Sequence, residues 1–130
     1  MAVLDTSAAI AGLVTGENQA LLESIAVHHE FQSPYLIEVE YLHVLRRLAH
    51  RGDITPDTAC RAIEEFIELP IIMYAQTPLF ERMWQHRNQV SAYDAAYLAL
   101  AESLEVPLIT CDLRLARASD GLVEVELFDS

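Results

Sequence analysis

Short apolar stretches alternate with helix-like stretches along the whole chain, and this alternation restricts the fold more than any other feature. "AVL" near the start, "EFQS", "PIIMY", "VPLIT" and "LVEVELF" read as strands, the last by its apolar–polar alternation. Between the first two, "SAAIAGLV" gives a helical turn or two, and "ENQALLESIAVHHE" spaces its apolar residues for a helix. Ser33-Pro34 has the form of a helix cap followed by Pro at the first helical position, opening "YLIEVEYLHVLRRLAHRG", which Gly52 closes. Thr55-Pro56 and Thr77-Pro78 repeat that start signal before "DTACRAIEEFIEL" and "LFERMWQHRNQ". "SAYDAAYLALAESL" reads as a strong helix and "DLRLARA" as a short one. Strands alternating with helices predict an α/β fold of three layers, with helices on both faces of a mostly parallel sheet of about five strands. No repeat, linker or low-complexity tract interrupts it, so residues 1–130 are expected to form a single domain.

The totals narrow the function classes. With 52% hydrophobic residues, four Gly and five Pro, the chain has the composition of a compact globular protein. No apolar run approaches the roughly 20 residues that span a bilayer, so no membrane partner is expected. Asp5 interrupts the start and no basic region precedes it, which does not fit a secretory leader. Cys60 and Cys111 stand alone, as suits free thiols in a cytoplasmic protein. The net charge is −12, and all eight basic residues are Arg. That balance counts against a simple electrostatic nucleic-acid binder. It is compatible with an enzyme that engages phosphates through metal ions and a few arginines, and with a basic protein partner.

Four acids occupy suggestive places. Asp5 follows "AVL" and Asp112 follows "PLITC", so both lie where a strand gives way to a helix; on neighbouring parallel strands they would project from one edge. Asp94 falls in the first turn of its helix, three residues after Ser91, and Glu40 lies on the long helix after Pro34. Each also has a local explanation: Ser91 and Asp94 fit a capping box, Asp112 an N-cap, and Asp5 a turn. Glu38 and Glu40 point about 160° apart on a helix, so only one can enter a shared pocket, and periodicity does not choose between them. Two unit charges 4 Å apart repel by about 4 kcal/mol at an effective dielectric of 20, so such a cluster would take up protons or hold a cation. Carboxylate oxygens without a His or Cys signature favour Mg²⁺ or Mn²⁺ over zinc. A cation held this way can bind a phosphodiester oxygen and activate water, which is the chemistry of phosphodiester hydrolysis.

At these residues the chain resembles the PIN-domain nucleases, and among them the VapC-type toxins of toxin–antitoxin pairs. The matching stretches are "VLDTSAAIAGL", "SPYLIEVEYLHVLRRL", "YDAAYLALAE" and "LITCDLRLARA", in the family's order and over nearly the whole chain. The resemblance implies that Asp5, Glu40, Asp94 and Asp112 are the catalytic and metal-binding acids, with Asp5 and Asp94 the direct Mg²⁺ or Mn²⁺ ligands. It takes Glu40, six residues after Pro34, as the second acid and leaves Glu38 as a variable neighbour. Thr6 and Thr110 match the family's small hydroxyl positions as supports of the acids. The resemblance further implies a PIN-like fold, a homodimer, a metal-dependent endoribonuclease acting on a structured RNA such as tRNA or rRNA, and a VapB-type antitoxin. The competing expectation is a non-catalytic PIN-like module that only binds a partner; the complete acid set argues against it. A receiver domain would want a Lys near its acids, and a haloacid-dehalogenase-type phosphatase would want Asp where Ser7 stands.

Among the remaining residues, Arg46, Arg47 and Arg51 along one helix, and Arg114 and Arg117 just after Asp112, are candidates for contact with RNA phosphates, Arg46, Arg47 and Arg114 foremost, against the alternative of a solvated, salt-bridged polar face. Tyr93 and Tyr97, i and i+4 on one helix, read as packing or dimer contacts, Trp84 as core or interface, and Cys111 as a small buried apolar residue.

Overall fold

The computed structural model describes residues 1–129. Five strands form one sheet: β1 (Val3–Leu4), β2 (Phe31–Pro34), β3 (Ile71–Tyr74), β4 (Leu108–Thr110) and β5 (Val125–Leu127). Their order is β3-β2-β1-β4-β5, and every pairing is parallel. Seven α-helices flank it among the described residues: α1 (Thr6–Ile10), α2 (Gln19–Val27), α3 (Leu36–His50), α4 (Pro56–Glu68), α5 (Phe80–Gln85), α6 (Ala92–Leu104) and α7 (Leu113–Ser119). A wider helical turn, Ala11–Thr15, prolongs α1 and ends at Gly16, whose φ of 60° is a conformation that glycine adopts without strain.

The order explains the layers. From β1 to β2 to β3 the chain moves one way across the sheet; from β3 it returns past β1 to β4 and then β5. Parallel crossovers are right-handed, so reversing direction moves the connecting helices to the opposite face. Accordingly α1, α3 and α4 pack against one another, whereas α6 packs with α5 and α7 and lies against β1, β2 and β4. In α6, Ala95, Ala96, Leu98, Ala99 and Ala101 are all buried. Small side chains let this helix approach β1, whose Val3 and Leu4 are fully buried.

Two helix starts differ from the sequence expectation. Ser33-Pro34 does not cap α3: Pro34 is the last residue of β2, paired with Tyr74, and the helix begins at Leu36. The Ser33 hydroxyl instead donates to the Leu4 carbonyl at 2.6 Å, tying β2 to β1. Thr77-Pro78 opens a short 3₁₀ turn, Thr77–Leu79, before α5 rather than the helix itself. Thr55 does cap α4, accepting from the Thr58 amide with Pro56 at the first helical position. Trp84 is not in the core, being 66% exposed on α5. No helix among the described residues is long and apolar enough to cross a membrane.

Candidate functional site: an acid-lined groove at the sheet edge

The sheet reverses its connections between β1 and β4, and in open parallel sheets a crevice forms beyond the strand ends at that point. Leu4 is in register with Ile109, so the next residues, Asp5 and Thr110, come level as the two strands end. The resulting groove, about 710 Å³, is lined by Asp5, Glu40, Asp94 and Asp112 together. Four acids drawn from four segments of the sequence thus share one cavity.

Asp5 caps α1, its Oδ1 accepting from the Ala8 amide at 2.9 Å. The Ser7 hydroxyl spans both carboxylate oxygens at 2.8 and 3.0 Å, and the Thr110 hydroxyl donates to Oδ2 at 2.6 Å. The residue is only 4% exposed. Burial pushes its carboxyl up to about 6; the bonds from Thr110, Ala8 and Ser7 pull the other way, and the charge of Asp112 adds to the rise. Asp94 is half-buried in the first turn of α6, where the Ser91 hydroxyl accepts from its amide at 3.2 Å. Its carboxyl is raised by burial first, then by Asp112 and Glu40, with Arg114 opposing. Asp112 caps α7, its Oδ1 accepting from the amides of Arg114 and Leu115 at 2.9 and 3.3 Å. The local roles of these acids and a shared cavity are therefore compatible: the caps aim the carboxylates.

Of the two glutamates on α3, Glu40 lines the groove while Glu38 is exposed outside it. Glu40 Oε1 accepts from the Thr6 hydroxyl at 3.0 Å and from the Tyr97 hydroxyl at 2.6 Å. Thr110, beyond its bond to Asp5, accepts from the Asp112 amide at 2.9 Å and so ties two of the acids together. His43 and Arg47, one and two turns along α3 from Glu40, line the groove as well, whereas Arg46 lies outside it. Arg51 pairs with Asp53 at 3.3 Å. Cys111 is half-buried, with burial and the charge of Asp5 pushing its thiol up to about 11.

Ser7 and Tyr97 are the site residues that the sequence does not single out. Ser7 donates to Asp5 and accepts from the Cys111 amide at 2.9 Å, bridging the ends of β1 and β4. Tyr97 packs as expected, at 2% exposure, but its hydroxyl is committed to Glu40. The signal for it was spacing: three residues after Asp94, it lies on the same side of α6. Tyr93, in contrast, is 62% exposed at the groove's rim.

The donor set consists of carboxylates and hydroxyls, which suits a hard divalent cation. Among the described residues, no group of three or more His, Cys, Asp or Glu side chains is placed to hold a metal ion by itself. Mg²⁺ is commonly held by one or two carboxylates and several waters, so an open groove fits it better than it fits a structural zinc.

The PIN domain family matches residues 2–121. The chain is 40% identical over 117 residues to the VapC ribonuclease Mb0985 of Mycobacterium bovis, covering 89% of each protein. It is 34% identical over 127 residues to ribonuclease VapC12 of Mycobacterium tuberculosis, covering 98% of each. Its fold is similar to the crystal structure of PAE2754 from Pyrobaculum aerophilum, with a TM-score of 0.73 at 22% identity, covering 95% of this chain and 82% of that one. With the sheet order, the shared groove and these relatives in hand, the chain belongs to the PIN-domain family, among the VapC ribonucleases.

Proposed function

We propose that this single PIN domain is a Mg²⁺- or Mn²⁺-dependent endoribonuclease, the toxin of a VapBC-type pair, acting in the cytoplasm on a structured RNA such as tRNA or rRNA. The convergence of Asp5, Glu40, Asp94 and Asp112 on one groove carries this reading. When bound, the cation would supply Lewis acidity toward a phosphodiester oxygen and toward the attacking water. Asp5 and Asp94, whose carboxyls are raised by burial, would gain from a positive charge beside them, and they would hold it. Glu40 and Asp112 each accept their protein bonds on one oxygen, which leaves the other for water or cation. Arg47 within the groove, and Arg114 close enough to act on Asp94, would neutralise flanking RNA phosphates.

The net charge of −12 is suited to a basic antitoxin segment laid across the same groove. A second copy would cover the apolar face of α5, where Phe80 and Trp84 are 58% and 66% exposed, giving a homodimer. The test is cleavage of total RNA with Mg²⁺ or Mn²⁺ by protein freed of any antitoxin. The parent cuts, and Asp5→Asn, Glu40→Gln and Asp94→Asn do not, although each remains folded. Cleavage retained in purified Asp5→Asn overturns the reading, and a parent that cuts nothing favours a partner-binding module.

A further inference from the structure

We infer that Tyr97 is a positioning residue for Glu40: its phenol hydroxyl, with Thr6 as junior partner, pins Glu40 Oε1 and thereby turns Oε2 toward the groove. The inference rests on the metal-nuclease reading and adds to it a residue that binds neither cation nor RNA. Glu40 has three rotatable side-chain bonds and sits on a helix whose neighbouring Val39 is 72% exposed, so packing alone does not fix its carboxylate. Two hydroxyls from two other elements do. Thr6 of α1 and Tyr97 of α6 reach the same oxygen, and their own oxygens lie 2.8 Å apart.

Three short contacts share only two hydroxyl protons, so the donors are not equivalent. The Tyr97 contact of 2.6 Å falls in the range of a charge-assisted O–H···O⁻ bond, whereas that of Thr6, at 3.0 Å, does not. Tyr97 therefore gives its proton to Glu40, and the single proton of Thr6 is divided between Glu40 and the Tyr97 oxygen. The phenol ring is itself immobile, since Tyr97 is 2% exposed in the helix that crosses the middle of the sheet. A rigid donor fixes the acceptor it touches.

Tyr97→Phe keeps the ring and removes only the hydroxyl. Calorimetric titration with Mn²⁺ in the absence of RNA should show affinity weakened by roughly 10-fold, at the lower end of what losing a group that orients a metal ligand costs. RNA cleavage should lose kcat by a similar factor with KM unchanged, and Thr6→Val should lose less on both measures. In an Glu40→Ala background, Tyr97→Phe should have no further effect on Mn²⁺ affinity. A Tyr97→Phe protein that matches the parent in Mn²⁺ affinity and kcat, or an effect equally large with and without Glu40, overturns the inference. Should the parent bind no Mn²⁺ and cut no RNA, the nuclease reading fails first. Thermal unfolding of the metal-free parent, Tyr97→Phe, Glu40→Ala and the variant carrying both then decides the clamp. Non-additive midpoint shifts support it, and additive shifts overturn it.

Discussion

Thr110 donates its hydroxyl to Asp5 Oδ2 at 2.6 Å across the junction of β1 and β4, and its own Oγ1 accepts from the Asp112 amide at 2.9 Å. One small side chain thus sets the position of the first acid and of the backbone that carries the last. Because Leu4 and Ile109 are in register, this contact follows from strand pairing rather than from any flexible loop.

Thr110→Val preserves shape and removes the hydroxyl. Its bond is the largest influence holding the Asp5 carboxyl down against burial, so the variant's Asp5 should titrate higher still. Cleavage should fall by roughly 10- to 100-fold, and Thr110→Ser should restore most of it. Steady-state kinetics on a fixed RNA substrate read both effects; a fully active Thr110→Val would remove Thr110 from the site.

Asp5 makes stability and activity oppose each other. Its folded carboxyl is raised from 3.8 to about 6, so the folded chain binds the extra proton and stability is lost as pH rises between those values. Asp5→Asn removes that loss. In metal-free buffer the variant should be more stable than the parent at pH 7 by about 1–3 kcal/mol, less whatever its altered hydrogen bonds cost, with little or no advantage near pH 4. Urea unfolding at the two pH values gives the difference, and an equal difference at both would refute the assignment.

Asp94 provides a metal test separate from cleavage. Adding Mn²⁺ or Mg²⁺ to the parent should raise Tm, since a ligand at 100 times its Kd stabilises by about 2.7 kcal/mol. Asp94→Asn should lose most of that gain. Melting curves with and without the cation decide it, and a parent indifferent to both metals would count against an acid cluster built to hold one.

Away from the groove, Glu102 joins α5 to α6 by bonding Arg82 at 2.6 Å and the buried His86 at 2.6 Å. Burial acts to raise the Glu102 carboxyl, but Arg82 and His86 together outweigh it and leave it below its ordinary value. The stability it contributes is therefore present above the unfolded carboxyl pKa and lost as pH falls through the folded one. Glu102→Ala leaves His86 without its partner and should cost about 1–3 kcal/mol at pH 7. Chemical denaturation measures it, and RNA cleavage at a temperature where the variant stays folded should be unchanged.

The sequence by itself determined the alternation of elements and hence the parallel sheet, because period-2 and period-3.6 patterns are local properties that each segment carries alone. It also placed Asp5 and Asp112 at strand ends, since an apolar run closed by a capping acid is visible without knowing its neighbours. The start of α3 was misplaced for a related reason: Ser33-Pro34 has the form of a cap, but the Ser33 hydroxyl had a partner in β1 that no local pattern displays. Helix periodicity left Glu38 and Glu40 open and the family resemblance took Glu40, but only the tertiary structure drew in Ser7 and put the Tyr97 hydroxyl on Glu40 across 57 positions of sequence. Those contacts depend on strand register and on which face each crossover helix takes, and both are decided by segments far apart in the chain packing against one another.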